Sequence, residues 1–131
     1  MNNFLLSAGA IGLLTTAIHI FGGQITLIRP FLRTDLAHDI KGCLLVCWHL
    51  ISAYLLLTSC LYVCAGFNPQ PDQLLGLELL LNALSSFYIL FAALFIVIGW
   101  IFFNAQVFYK LPQWVLLLPI GVLGFIGTGA V

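Results

Sequence analysis

The side chains that invite chemistry in this chain are few: His19, His38 and His49, Cys43, Cys47, Cys60 and Cys64, and the single glutamate Glu78. His19 stands in TTAIHIFGG (residues 15–23), an ionisable ring in an otherwise apolar stretch. His49 stands in VCWHLISAY (residues 46–54), an equally apolar setting. An imidazole titrates near neutral pH, so either ring can relay a proton, gate a polar solute or ligate a metal or haem. On a helix, residues three, four and seven apart share a face. From His19 that face carries Gly9, Gly12, Thr15, Thr16, Gly22, Gly23 and Thr26, and the opposite side is Ile, Leu and Phe. Small and hydroxylated residues let helices approach closely in lipid, so His19 is expected to face the interior of a bundle.

The elements that must position these groups follow from composition. Of 131 residues, 63% are hydrophobic and 6% are charged, whereas an ordinary soluble domain carries about 25% charged residues. Four acidic and four basic side chains cannot build a soluble surface, and the chain length allows one domain, a single integral membrane domain over residues 1–131. Zero net charge and the lack of a basic cluster exclude nucleic acid as a partner. The start, MNNFLLSAGA, has no positive segment and its apolar run reaches Ile28, which predicts a retained span rather than a cleaved signal.

A bilayer core takes about 20 apolar residues per helix. Four stretches qualify, residues 4–28, 42–66, 74–103 and 111–130, and they predict an all-α antiparallel bundle of four transmembrane helices. The third is long enough to tilt, and the fourth is short and bounded by Pro112. The connectors are RPFLRTDLAHDIK, FNPQPDQ and NAQVFYK. Arg29, Arg33 and Lys41 lie in the first and Lys110 in the third, so every basic residue falls on one side. The positive-inside rule makes that side cytoplasmic and puts both termini on the non-cytoplasmic face of what is expected to be a bacterial inner membrane. These four basic side chains are expected at phospholipid headgroups, and Trp48, Trp100 and Trp114 form an aromatic belt at the same boundary.

Local signals refine this frame. Arg29-Pro30 is expected to end the first helix, and Thr34 to cap the second, with Asp35 and Asp39 in its first turns. Asn68-Pro69-Gln70-Pro71 reads as a rigid turn. His49 lies roughly 10 Å into its span and His19 roughly 14 Å from the same boundary, so the two imidazoles are expected to meet between neighbouring helices. His38 sits at that boundary and is a further metal candidate. Glu78, Asn82, Ser85 and Ser86 share one face of the third span and extend the polar groups outward. The two C-x3-C pairs fit small structural thiols better than a disulfide or metal site, because i,i+4 geometry suits an intrahelical disulfide poorly.

Three functional readings result. The first is an oligomeric transport or permeation protein, with a polar intramembrane path through His19, His49, Thr15, Thr16, Glu78 and Asn82. The second is a protein that binds haem or a transition metal through His19 and His49, with His38 in reserve. The third is an accessory subunit or lipid-phase binding protein of a larger complex, where polar groups only fix packing. An enzyme is less favoured, because no nucleophile elbow, H-E-x-x-H, phosphate loop or carboxylate pair is present.

His19-x3-Gly23, Arg29-Pro30, Cys47-Trp48-His49 and LPQWVLLLPIG at 111–121 together resemble a pattern of small four-helix bacterial inner-membrane proteins. That resemblance spans nearly the whole chain and implies the fold, and no activity comes with it. The chain differs from small multidrug transporters, whose first helix carries a membrane-embedded glutamate. It also lacks the glycine- and asparagine-rich pattern of dimeric fluoride channels.

Overall fold

In a computed structural model the described residues are 1–68 and 75–129, and they form an all-helical bundle. Helix α1 runs over Asn3–Leu32, α2 over His38–Phe67, α3 over Leu75–Phe103 and α4 over Trp114–Gly129. A 3-10 turn at Asn104–Gln106 and one helical turn at Val107–Lys110 join the last two. Among the described residues, three helices are long and apolar enough to cross a membrane, and Trp114–Gly129 is a shorter apolar helix. The proline turn expected after Asn68 lies outside the described residues.

Glycines set the register. A Cβ on Gly9 would meet Val63 at 2.6 Å, one on Gly66 would meet Leu6 at 2.7 Å, and those on Gly12 and Gly23 would run into Ser59 and Trp48. As α1 ascends through residues 6, 9, 12 and 23, its neighbours on α2 descend through 66, 63, 59 and 48, so the two helices are antiparallel. The same holds for α3 and α4, where Gly121 abuts Ile89, Gly124 abuts Ser85, and Thr128 bonds Asn82. Leu5 of α1 fits against Gly127 of α4. Helix α1 thus lies between α2 and α4, α3 lies beside α4, and α2 meets α3 mainly through large side chains. Leu5, Ala8, Leu55, Tyr62, Leu81, Tyr88, Leu117 and Ile120 form the core.

Asn2 fastens one end. Its Oδ1 accepts from the Phe4 and Leu5 amides and caps α1. Its Nδ2 donates to the Gly127 carbonyl at 2.7 Å, and its own amide donates to the Gly66 carbonyl at 2.8 Å. One residue therefore ties the start of α1 to the ends of α2 and α4.

Two local expectations are corrected. Pro30 does not end α1, which continues to Leu32. The helix widens first, into π turns over Ile18–Gly22 and Gln24–Ile28, where the Gly23 amide reaches the Ile18 carbonyl and the Arg29 amide the Gln24 carbonyl. In a regular α-helix the Pro30 ring would clash with the carbonyl four residues back; the wider coil relieves that clash. Nor does Thr34 cap α2. Its hydroxyl donates to the Phe31 carbonyl at 2.7 Å, finishing α1, and α2 begins at His38 behind Ala37 with no side-chain cap. Asp39 does occupy the first turn of α2. Helix α3 stops where Asn104 takes φ 49°, a left-handed conformation that Asn tolerates.

Candidate functional site

His19 falls within the first π turn of α1, and its ring is half-buried against α2. The imidazole stacks on the Trp48 indole with centroids 3.9 Å apart and planes 17° apart. Gly23, about one turn further along, makes this possible, because any Cβ there would occupy the space of the indole. The imidazole Nε2 is buried and has no hydrogen-bond partner among the described residues. Thr15 and Thr16 are buried beside it, but their hydroxyls donate to their own helix, to the Ile11 carbonyl at 2.7 Å and the Gly12 carbonyl at 2.8 Å. Of the face expected around His19, Gly9, Gly12, Thr15, Thr16 and Gly23 are buried, Gly22 is half-buried and Thr26 is exposed.

The partner that sequence assigned to His19 was His49. The structure puts Trp48 there instead, and His49 is exposed. Neighbouring positions on a helix differ by about 100°, so the choice of one excludes the other. Trp48 is accordingly a packing partner of His19. Trp100 is exposed, whereas Trp114 is half-buried with its indole N–H buried and unpartnered.

On the other side of the core, polar groups are paired. Tyr62 and Ser85 bond at 2.8 Å, and both hydroxyls lie near the Leu81 carbonyl, Ser85 at 2.8 Å and Tyr62 at 3.3 Å. Thr58 and Tyr88 bond at 2.5 Å, and Thr58 also lies 2.8 Å from the Tyr54 carbonyl, which makes Tyr88 the donor to Thr58. Thr128 donates to the Asn82 side-chain carbonyl at 2.5 Å. Ring contacts extend this seam along the α2–α3 boundary, Tyr62 to Tyr88 at 6.3 Å, Tyr88 to Tyr54 at 5.9 Å and Tyr54 to Phe91 at 5.8 Å. Histidines, carboxylates and thiols, the residue types that most invite chemistry, do not point to these tyrosines. The signal was present: Tyr54, Thr58 and Tyr62 recur every four residues on α2, facing Ser85 and Tyr88 on α3.

The remaining candidates lie apart. Glu78 and Ser86 are exposed and Ser85 is buried, so the expected polar face of α3 divides between surface and core. His38, Arg29, Arg33 and Lys110 are exposed around the basic end. Lys41 donates to the Leu32 carbonyl at 3.1 Å and so braces α2 against the end of α1, while Lys110 sits over the Phe103 ring at 5.1 Å. All four cysteines are free and exposed rather than packed inside. Among the described residues no group of three His, Cys, Asp or Glu side chains comes together in a way that would hold a metal.

Fold and site together define a helical bundle with a tyrosine–serine seam and one stacked histidine whose Nε2 has no partner among the described residues. Comparison with protein-family models, with curated proteins and with solved structures gives no match.

Proposed function

We propose that this chain is an integral membrane protein with four spans, and that it acts as an oligomeric transport or permeation protein whose proton-responsive group is His19. The observation that carries this reading is the buried Nε2 of His19, unpartnered and set in a π turn. A histidine kept only for packing would have its buried nitrogen bonded to a carbonyl or hydroxyl. Here Nε2 meets no such partner among the described residues, which leaves it free to exchange a proton or meet a passing solute. π turns inserted in α-helices occur frequently at functional sites. Ionisable groups inside spans are costly to keep and mark pathways.

In this reading the basic connectors face the cytoplasm of a bacterial inner membrane, and both termini lie on the other side. The outward apolar surface meets lipid: Leu57, Leu79, Ile101 and Phe102 are each at least 70% exposed. Helix α4, with 16 residues, is about 24 Å long and thins the bilayer locally or leans on its neighbours. His49, exposed on α2, joins the path only where a second copy of the chain covers it.

The test is proton flux in liposomes with a clamped membrane potential and a trapped pH dye. Wild-type protein should dissipate an imposed pH gradient, and His19→Gln should not, at equal expression and oligomer size. Undiminished flux in His19→Gln would sink the proposal.

A further inference from the structure

Four buried side-chain atoms have no hydrogen-bond partner among the described residues: His19 Nε2, Tyr54 OH, Gln113 Oε1 and Trp114 Nε1. Their distribution is one-sided. Toward the Asn2 end, the buried or half-buried hydroxyls and amides of Tyr62, Ser85, Tyr88, Thr58, Asn82, Thr128 and Asn2 are all bonded. Toward the basic end the buried hydroxyls of Thr15, Thr16 and Ser52 bond carbonyls of their own helices, and the four unpartnered atoms lie on that side. The antiparallel register puts His19 beside Trp48, Tyr54 beside Phe91, and Gln113 and Trp114 at the start of α4, next to the basic connector.

Side-chain lean brings His19 and Tyr54 toward a common level. Helical side chains tilt toward the N-terminus of their helix. The N-termini of α2 and α4 are at the basic end, so Tyr54 and Trp114 lean toward it. Helix α1 runs the other way, so His19 leans inward, toward the level of Tyr54. Each unpaired buried polar group is costly, and four of them together would take a large share of the small net stability that holds a domain folded. A molecule able both to donate and to accept removes that cost. Trp114 only donates, Gln113 Oε1 only accepts, the Tyr54 hydroxyl does both, and His19 Nε2 does either according to its tautomer. None of the four carries a fixed charge, so the matching molecule is neutral.

We infer that the basic half of the bundle is a water-filled vestibule, lined by His19, Tyr54, Gln113 and Trp114, and closed toward the Asn2 end by the Tyr62–Ser85 and Tyr88–Thr58 pairs. Buried water characteristically makes two to four bonds to such groups. The π turns of α1 fit the same picture, since non-ideal backbone at membrane depth is tolerated where it borders protein or water. The tyrosine pairs act as the plug that a permeation cycle must open. The vestibule rests on the bundle's hydrogen bonding and stands whether or not protons cross.

Hydroxyl-radical footprinting of the wild-type protein in lipid nanodiscs tests it, because radicals made by a radiolytic pulse modify side chains that touch water. After correction for intrinsic reactivity, Tyr54 and Trp114 should be modified roughly tenfold faster than Tyr62 and Tyr88, as expected for groups bonded to internal water against groups bonded to protein. Equal protection of all four would overturn the vestibule and leave the flux assay untouched. Equal modification of all four would overturn the plug and, with it, the closed half-channel. Failure of flux alongside the expected footprint would remove transport and keep the vestibule.

Discussion

The His19 imidazole lies flat on the Trp48 indole, centroids 3.9 Å apart, and this stack is the close side-chain contact between the π-wound part of α1 and the start of α2. Aromatic pairs of this kind contribute about 0.5–1.5 kcal/mol beyond the area they bury. A double-mutant cycle of His19→Ala and Trp48→Ala should therefore return a coupling of that size, read from unfolding in mixed micelles with rising denaturing detergent. Strictly additive losses would mean that the two rings touch without supporting each other.

How much of this was legible beforehand differs by feature. The inward face of α1 was readable because Gly9, Gly12, Thr15 and Thr16 repeat at helical spacing, and sterics at a glycine stripe depend only on that spacing. The partner of His19 was not. Trp48 and His49 are adjacent, and a shift of one residue rotates the face by about 100°, which depth counting cannot resolve. The π turns were equally hidden, since no residue type specifies them and Pro30 read as a stop rather than as the reason for a wider coil. Thr34 was misassigned because a threonine between two helices can close the first as readily as open the second, and here the Phe31 carbonyl captured its hydroxyl. The tyrosine seam was readable in principle from the four-residue repeat of Tyr54, Thr58 and Tyr62, once aromatic residues are counted as polar groups as well as apolar ones.

Glycines on α4 and α2 separate packing from propensity. A Cβ at Gly124 would lie 2.9 Å from the Tyr62 hydroxyl and collide with Ser85, so Gly124→Ala should destabilise by about 1–3 kcal/mol. Gly42 has nothing within 4 Å of its Cβ position, and Gly42→Ala should gain about 0.5–1 kcal/mol from helix propensity. Thermal shift in detergent reads both. A loss at Gly42 as large as that at Gly124 would show that helix geometry, not contact with Ser85 and Tyr62, sets the effect.

The Tyr62–Ser85 bond joins α2 to α3, which meet mainly through large side chains. Interhelical bonds in membrane proteins average about 0.6 kcal/mol and reach about 1.7. Tyr62→Phe and Ser85→Ala should each destabilise within that range, and the double variant should lose less than the sum, because both remove the same bond. Full additivity would show that the hydroxyls bond other partners, with Leu81 as the nearest carbonyl for both.

The cysteines give the orientation a direct test, because they lie toward opposite ends of one helix. Cys43 falls in the second turn of α2, next to the basic end, and Cys64 in its last turn, next to Phe67; both thiols are free and exposed. Maleimide attacks the thiolate, which forms where water reaches the sulfur, so labelling is confined to thiols near a headgroup region. In right-side-out vesicles, an impermeant maleimide should modify a variant retaining only Cys64 and leave one retaining only Cys43 unlabelled until the membrane is opened. The other two thiols are replaced by alanine in each case, which their exposure makes tolerable. The reverse pattern would place Arg29, Arg33, Lys41 and Lys110 outside the cytoplasm, against the positive-inside rule. It would also turn the mouth of the His19 vestibule to face the opposite compartment, so that the direction of any proton-linked passage would have to be reassigned with it.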